Sequence, residues 1–161
     1  MISLRCGTIA CRPCASSVGS IVRASRGLLV DTSAWIEVFR RPQRLTLDQM
    51  VDDRDRIVTC LPIVQEVLQG FDDERAFRIA HTAMYALPCV DSPLPAVAID
   101  AAVDLYRRAR RAGVTVRSSV DCLIAAIASR HHLVVVHADR DFARLASLAP
   151  FEQRDISALL A

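Results

Sequence analysis

Short apolar runs, separated by longer amphipathic stretches, constrain the fold of this chain more than any other feature. The runs lie at residues 28–30, 57–60 and 133–136 and consist mainly of Leu, Ile and Val. Near-continuous apolar character over so few residues is typical of strands that are buried on both faces of a sheet. The intervening stretches are long enough for helices. The alternation therefore predicts an α/β layer structure with a short, mainly parallel sheet.

Helical periodicity, Pro and Gly signals and capping residues set the other predicted elements. The pattern predicts helices over residues 33–40, 45–51, 62–68, 72–87, 95–112, 119–130 and 140–148. Two further short strands are predicted at 88–90 and 151–153. The expected buried face of the fourth helix consists of Ala76, Ile79, Ala80 and Ala83.

Composition limits the class of protein. The chain has 161 residues, which suits one domain, and 52% of them are hydrophobic. All twenty basic residues are arginine, so any mechanism that needs a lysine is excluded. No apolar run approaches the roughly 20 residues that span a bilayer, so no membrane segment is expected. We read Cys60, Cys89 and Cys122 as buried thiols of a cytoplasmic, reduced protein.

Residues 1–27 differ from the rest of the chain. They contain no acidic residue, several arginines and many serines, and domain-like periodicity begins only at residue 28. We expect a poorly ordered extension, or a start codon assigned too far upstream. The spacing of Cys6, Cys11 and Cys14 matches the first three ligands of a plant-type iron–sulfur site. No fourth cysteine follows at a suitable place, so we interpret the match as coincidence.

Four acidic residues lie where the predicted strands give way to helices. Asp31 ends the first strand, and Asp139 follows the third long apolar run. Glu66 is the only charge in an otherwise apolar helix, and Asp121 lies in the first turn of another. Each has a structural alternative: a helix cap, an acid favoured by the helix dipole, or a solvated face. The carboxyl ends of parallel strands meet at one edge of a sheet, however, so these side chains are expected to converge.

Converged carboxylates repel one another, and at least one would keep its proton near neutral pH unless a cation were present. Mg²⁺ and Mn²⁺ prefer oxygen ligands. An all-carboxylate site without histidine or cysteine ligands therefore favours phosphoryl chemistry over zinc chemistry. His137 alternates away from its neighbours in the strand, so a structural role is expected for it.

Four segments together resemble the PIN-domain ribonucleases, specifically the VapC toxins of bacterial toxin–antitoxin pairs. They are DTSAWIE, PIVQEVLQG, VRSSVDCLIAAIA and HADRDFARLA, in the order of the family, and the likeness covers roughly residues 28–155. The resemblance implies a three-layer α/β/α, Rossmann-like PIN domain over residues 28–161. It also implies a cytoplasmic toxin with Mg²⁺- or Mn²⁺-dependent endoribonuclease activity on tRNA or ribosomal RNA, a cognate antitoxin protein and a homodimer.

The resemblance also implies roles for individual residues. Its catalytic and metal-site positions fall on Asp31, Glu66, Asp121 and Asp139, with Glu66 binding through water or helping to hold a second metal. Asp141 takes the place of an outer or alternate metal ligand. Supporting positions fall on Ser33, a hydroxyl beside the first aspartate, and on Arg117, which would meet substrate phosphate or pair with a carboxylate.

Two surfaces for partners are expected. Basic clusters for RNA follow the first helix and end the long fifth helix, and both have the alternative of a solvated, basic helix end. They consist of Arg40, Arg41, Arg44, Arg107, Arg108, Arg110 and Arg111. The resemblance implies an antitoxin whose apolar helix enters a groove lined by the early helices, with Trp35, Ile36 and Phe39 as candidate lining residues. Core packing or dimer contact is the simpler interpretation of these three residues.

Other classes fit less well. A receiver domain needs a lysine for its phosphoryl chemistry, and this chain has none. A haloacid-dehalogenase-type phosphatase needs a second aspartate at the position of Ser33. A dinucleotide-binding enzyme needs a Gly-rich turn after the first strand. A catalytically silent PIN fold that only binds RNA or protein remains the alternative, and the intact acidic set argues against it.

Overall fold

The computed structural model describes residues 26–160. Its sheet contains four strands, β1 (Gly27–Val30), β2 (Arg56–Val58), β3 (Val134–His137) and β4 (Glu152–Asp155), in the order β2-β1-β3-β4. All three strand pairs are parallel. A parallel bridge between Thr59 and Cys89 continues the sheet beyond β2, where the sequence predicts the short strand at 88–90. The predicted α/β fold with a short parallel sheet is confirmed.

Seven α-helices lie among the described residues, and each corresponds to one predicted helix. They are α1 (Thr32–Arg40), α2 (Leu47–Met50), α3 (Leu61–Leu68), α4 (Glu74–Ala86), α5 (Ala96–Arg111), α6 (Ser119–His131) and α7 (Arg140–Ala146). A single turn of 3-10 helix, Ser157–Leu159, follows β4.

The buried face of α4 differs from the predicted one. Ala80 and Met84 are fully buried, whereas Ala83 is exposed and 58% of Ile79 remains accessible. Helical spacing is compatible with a buried face that contains Ile79 and with one that contains Met84. The docking of α4 against α3 selects the face that contains Met84. Among the thiols, Cys60 and Cys122 are buried as predicted, but Cys89 is exposed, because it lies at the edge of the sheet.

The two central strands form the middle of the core. Leu28, Leu29, Val30, Val135 and Val136 are completely buried, since helices cover both faces of the sheet there. A second apolar cluster joins α5, α6 and α7. Burial on both faces is the reason why these strands appear in the sequence as short continuous apolar runs rather than as alternating ones.

The carboxyl ends of β1 and β3 meet at one edge. The backbone N–H of Asp31, directly after β1, donates a hydrogen bond to the carbonyl of Val136 in β3 at 2.8 Å. The two strand-to-helix junctions that carry Asp31 and Asp139 are therefore neighbours in space, although more than one hundred residues of chain separate them.

The predicted extension lies almost wholly outside the described residues, and so do Cys6, Cys11 and Cys14. Between residues 26 and 160, no helix combines the length and the apolar character needed to cross a bilayer.

Candidate active site

Asp31 begins the site as the N-cap of α1. Its carboxylate accepts hydrogen bonds from the backbone N–H of Ser33 at 2.9 Å and from the Ser33 hydroxyl at 2.6 Å. The same hydroxyl accepts the backbone N–H of Ala138, at 3.0 Å, from the junction after β3. Asp31 is only 4% exposed, and this burial raises its pKa, while the hydrogen bonds from Ser33 oppose the rise.

Glu66 is tied to the same junction from another helix. It lies on α3, and its Oε2 accepts a hydrogen bond of 2.9 Å from the hydroxyl of Thr32, the residue after Asp31. Glu66 is half-buried, whereas its polar neighbours Gln65 and Gln69 are exposed. The Thr32 hydroxyl therefore fixes one oxygen of Glu66 and directs the side chain to the edge where β1 ends.

Asp121 shows that the four acids lie within electrostatic reach of one another. Its pKa is raised from 3.8 to about 7, first by burial and then by the negative charges of Asp31, Asp139, Glu66 and Asp141. It lies in the first turn of α6, which Ser118 caps. The repulsion expected from converged carboxylates is therefore present in this fold, and it adds to the effect of burial on the pKa of Asp121.

Asp139 and Asp141 share one arginine. Asp139 is the N-cap of α7 and accepts the backbone N–H of Asp141 at 3.0 Å. The guanidinium of Arg117 donates to Asp139 through Nη2 and to Asp141 through Nε, the latter at 3.1 Å. The backbone N–H of Arg117 adds a second bond to Asp141, also of 3.1 Å. Arg117 thus takes the carboxylate-pairing role that was one of its two expected roles.

Asp141 is enclosed by its partners. It is 1% exposed, and its second oxygen accepts from Arg144 at 3.1 Å. Burial alone would raise its pKa, but the hydrogen bonds and charge of Arg117, with the charge of Arg144, outweigh it and lower the pKa. Both oxygens are committed to arginines, so Asp141 acts on the site through Arg117. A role as an alternate metal ligand stays a prediction.

His137 is fully buried and fixed on both ring nitrogens. Its Nδ1 accepts the backbone N–H of Asp139 at 3.2 Å, so Nε2 carries the proton and donates to Gln153 at 2.7 Å. Its ring lies 5.0 Å from that of Phe142. These contacts agree with the structural role expected from the sequence: His137 supports the loop that presents Asp139.

The donor set suits a hard divalent cation. Four carboxylates approach one edge of the sheet, and their mutual repulsion is the kind that Mg²⁺ or Mn²⁺ relieves. Within residues 26–160, however, no three acidic, histidine or cysteine side chains already stand in a metal-holding arrangement. One oxygen of Asp139 accepts from the guanidinium of Arg117 instead.

Several of the arginines that were predicted to bind RNA instead contact nearby groups of the protein. Arg40 donates to the carbonyl of Gly70, and Arg41 pairs with Glu37 at 3.4 Å. Arg108 pairs with Asp104 at 2.8 Å and donates to a backbone carbonyl. Arg107 and Arg111 are exposed. The cleft beside the acids is instead lined by Arg117, Ala138, Asp139, Arg140, Asp141 and Arg144 and has a volume of about 480 Å³.

Trp35 does not line a groove, and core packing, the simpler of its two interpretations, is the one that the structure shows. Trp35 is 3% exposed and stacks on Phe39 with ring centroids 5.5 Å apart, and Phe39 meets Phe71 edge to face. These aromatic side chains fill the core between α1 and α3, which is the alternative that the sequence left open. Ile36 is half-buried beside them.

Sequence reasoning missed three residues at this edge. Thr32 holds Glu66, and Arg140 and Arg144 line the cleft. Thr32 stands beside Asp31 in DTS, and Arg144 lies three residues after Asp141, which is ion-pair spacing on a helix. Those spacings were visible in the sequence, but the partner of Thr32 lies 34 residues away and was not.

The parallel sheet with an acidic carboxyl edge defines an α/β nuclease-like domain, and comparison with known families agrees. The sequence model of the PIN domain family matches residues 28–148. Ribonuclease VapC11 of Mycobacterium tuberculosis is 40% identical over 119 residues, which cover 71% of this chain and 88% of that protein. The chain therefore belongs to the PIN-domain family and, within it, to the VapC ribonucleases, as its four sequence segments predict.

Solved structures agree at the level of the fold. The structure of VapBC-1 from nontypeable Haemophilus influenzae matches with a TM-score of 0.63 at 13% identity, over 80% of this chain and 97% of that one. VapBC-5 of Mycobacterium tuberculosis, a member of the VapBC family of toxin–antitoxin systems, matches with a TM-score of 0.59 at 21% identity. That match covers 81% of this chain and 98% of the other.

Proposed function

We propose that this chain is a divalent-metal-dependent endoribonuclease toxin that cleaves cellular RNA in the cytoplasm and is neutralised by a cognate antitoxin protein. The observation that carries the proposal is the meeting of acid-bearing segments at one sheet edge. The N–H of Asp31 bonds to Val136, beside the junction that carries Asp139, and Thr32 holds Glu66 at the same edge. The raised pKa of Asp121 agrees with this arrangement. The 40% identity to a protein named as a ribonuclease supports the reaction type.

Asp31, Asp121 and Asp139 would hold Mg²⁺ or Mn²⁺, with Glu66 contributing directly or through water. When bound, the cation lowers the pKa of water and neutralises charge on the phosphate. The protein's own groups orient the ligands. Ser33 fixes one oxygen of Asp31, and Thr32 fixes one oxygen of Glu66, which restricts the orientation of both carboxylates.

The reaction is hydrolysis of a phosphodiester. A water oxygen forms a bond to phosphorus, and the bond from phosphorus to the 3′ oxygen breaks, which leaves a 5′-phosphate and a 3′-hydroxyl. Arg117 faces the cleft and holds Asp139 against the start of α7. The chain is poor in aromatic residues, with one tryptophan, two tyrosines and five phenylalanines. Recognition through RNA backbone and shape, in tRNA or ribosomal RNA, therefore suits it better than base stacking.

An apolar groove beside the acids supports the antitoxin proposal. A cleft of about 400 Å³ between α3 and α6 is lined mainly by apolar side chains, among them Leu61, Leu94, Val120 and Leu123, and also by the polar side chains of Gln65, Glu66 and Gln69. Leu123 also lines an adjoining apolar cleft of about 280 Å³ against α5. We assign this groove to an amphipathic helix of the antitoxin, with a basic side chain directed at the acidic edge. Homodimer formation, which the resemblance implies, stays a prediction for sedimentation analysis.

Cleavage assays on the full-length chain test the proposal. RNA should be cut with Mg²⁺ or Mn²⁺ and not with EDTA, and Asp31→Asn and Asp121→Asn should abolish the cut. Asp48→Asn is a matched control, because Asp48 is an exposed acid in the first turn of α2. If the two site variants cut RNA as fast as the wild type does, the nuclease assignment is wrong. A wild-type chain that binds RNA without cutting it would favour the silent binding module.

A further inference from the structure

The cleft beside the acids shares one lining residue, Arg144, with a second cleft. The first, of about 480 Å³, is walled by Arg117, Arg140 and Arg144. The second, of about 330 Å³, is lined by Arg144 and the loop at residues 113–115. Arg144 lines both clefts, and we call the two together the α7 track. The track reaches from the acidic edge to the loop after α5.

The arginines of the α7 track differ in whether they have a carboxylate partner. Three arginines face two carboxylates at its acidic end. Arg117 bridges both carboxylates, and Arg144 pairs with Asp141 at 3.1 Å. Arg140 is exposed, and within the described part of the chain no acidic group lies within 4 Å of its guanidinium. Of the three arginines that line this cleft, Arg140 is therefore the one without a carboxylate partner among the described residues.

Arg140 is placed where helix stability does not favour a cation. It is the first residue of α7, directly after the N-cap Asp139, and the helix dipole there disfavours positive charge. The exposed end of Arg140 makes no ion pair that would offset this cost. An anionic ligand in the cleft would give the guanidinium of Arg140 the partner that the described residues do not provide.

We propose that Arg140 is an RNA-phosphate-binding residue that holds the strand on one side of the cleaved bond and directs it along the α7 track. This inference rests on the proposed ribonuclease function and identifies residues that the sequence analysis did not assign to RNA. Arg144 supplies the wall further along, while it remains paired with Asp141. The arginines of α5 that the sequence favoured do not line this track.

Binding of a labelled single-stranded RNA of mixed sequence tests the proposal without interference from cleavage. The measurement uses the full-length chain with Asp121→Asn, which prevents the cut, and follows fluorescence anisotropy over a range of KCl concentrations. Adding Arg140→Gln should weaken binding about tenfold and lower the slope of log K against log salt by about 0.7, the loss of one phosphate contact. Arg140→Lys should restore most of the affinity, because a point charge suffices for a phosphate.

Arg75→Gln on α4 is the matched control. Arg75 is exposed and lines neither cleft of the track, so the variant removes the same charge elsewhere. In the cleaving enzyme, Arg140→Gln should raise KM about tenfold with little change in kcat, the signature of lost uniform binding. A thermal melt of each variant checks that the fold is intact.

The outcomes separate the two proposals. If Arg140→Gln and Arg75→Gln give the same affinity and the same salt slope, the role of Arg140 is refuted, while wild-type cleavage still supports the nuclease. If the wild type cuts no RNA but the binding loss is specific to Arg140, the nuclease fails and the binding site stands. If the Asp121→Asn chain binds no RNA, with or without Arg140→Gln, the inference about Arg140 is refuted as well.

Discussion

Replacing Asp121 by asparagine should stabilise the fold at neutral pH, even though it should abolish activity. Burial, followed by the charges of Asp31 and Asp139, raises the pKa of Asp121 from 3.8 to about 7. The folded state therefore binds a proton more tightly than the unfolded state does. Above pH 7 both states are ionised, and the folded state carries the full electrostatic cost; below about pH 4 both are protonated, and the cost disappears.

The expected gain follows from that pKa. Each pKa unit corresponds to about 1.4 kcal/mol, so a rise from 3.8 to about 7 would cost about 4 kcal/mol without screening. Asp121 is partly exposed, and solvent screening reduces the cost to about 1–2 kcal/mol. Losing an acid from the first turn of α6 removes about 0.5 kcal/mol of favourable dipole interaction. The net gain is about 1 kcal/mol, or a rise in Tm of about 2–4 °C.

Urea unfolding in EDTA measures the effect. The Asp121→Asn variant should exceed the wild type in unfolding free energy at pH 8, and the difference should shrink to nothing near pH 4. Asp48→Asn, an exposed first-turn acid of α2, should show no such gain at pH 8. Added MgCl₂ should stabilise the wild type more than the variant, because binding to the folded state adds to stability. A variant that is no more stable at pH 8, or a gain that is the same at every pH, would refute the electrostatic reasoning.

Three further changes test other contacts of the site and its surroundings. Asp141→Asn should lower the free energy of unfolding by about 2–3 kcal/mol at pH 7, because two arginines lose a buried partner. Since the pKa of Asp141 is lowered in the folded state, this loss should be full above about pH 4 and should fade at lower pH. Urea titrations over this pH range measure it. Ser33→Ala should cost about 1–2 kcal/mol and raise the pKa of Asp31 further, as NMR titration would show. Gly113→Ala should lower the free energy of unfolding by about 1 kcal/mol, because φ is +73° there. The cost should be no larger, because the added Cβ meets open space.

Each of these expectations has a result that contradicts it. A loss for Asp141→Asn that persists unchanged at pH 3 would mean that shape, not charge, holds the side chain. An unchanged pKa of Asp31 in Ser33→Ala would mean that the Ser33 hydroxyl does not stabilise the charged form of Asp31. A cost for Gly113→Ala as large as that of a core truncation would mean that the loop is packed where the structure shows space.

The order of elements could be predicted from the sequence because it depends on local patterns. The apolar runs correspond to β1, β2 and β3, and each predicted helix has its counterpart. The ends moved by a few residues: the predicted strand at 151–153 is observed as Glu152–Asp155. Fraying and capping decide such ends, and hydrophobic periodicity does not report them well.

Faces and partners were harder to predict. Ile79 and Met84 lie on different stripes of α4, and only the docking of that helix on α3 decides which stripe is buried. Trp35 had both a core and a groove interpretation, and packing against Phe39 selects the core. Cys89 is apolar enough for a core residue, but its place at the sheet edge leaves it exposed.

By itself, the sequence determined that acids follow the strands of a parallel sheet, because strand and helix patterns are local and the edge where such strands end is common to all of them. Only the tertiary structure decided how those acids are held. Thr32 meets Glu66 across 34 residues, and Arg117 meets Asp141 across 24. Such pairs depend on how separate helices dock on the sheet, and no local pattern records that docking.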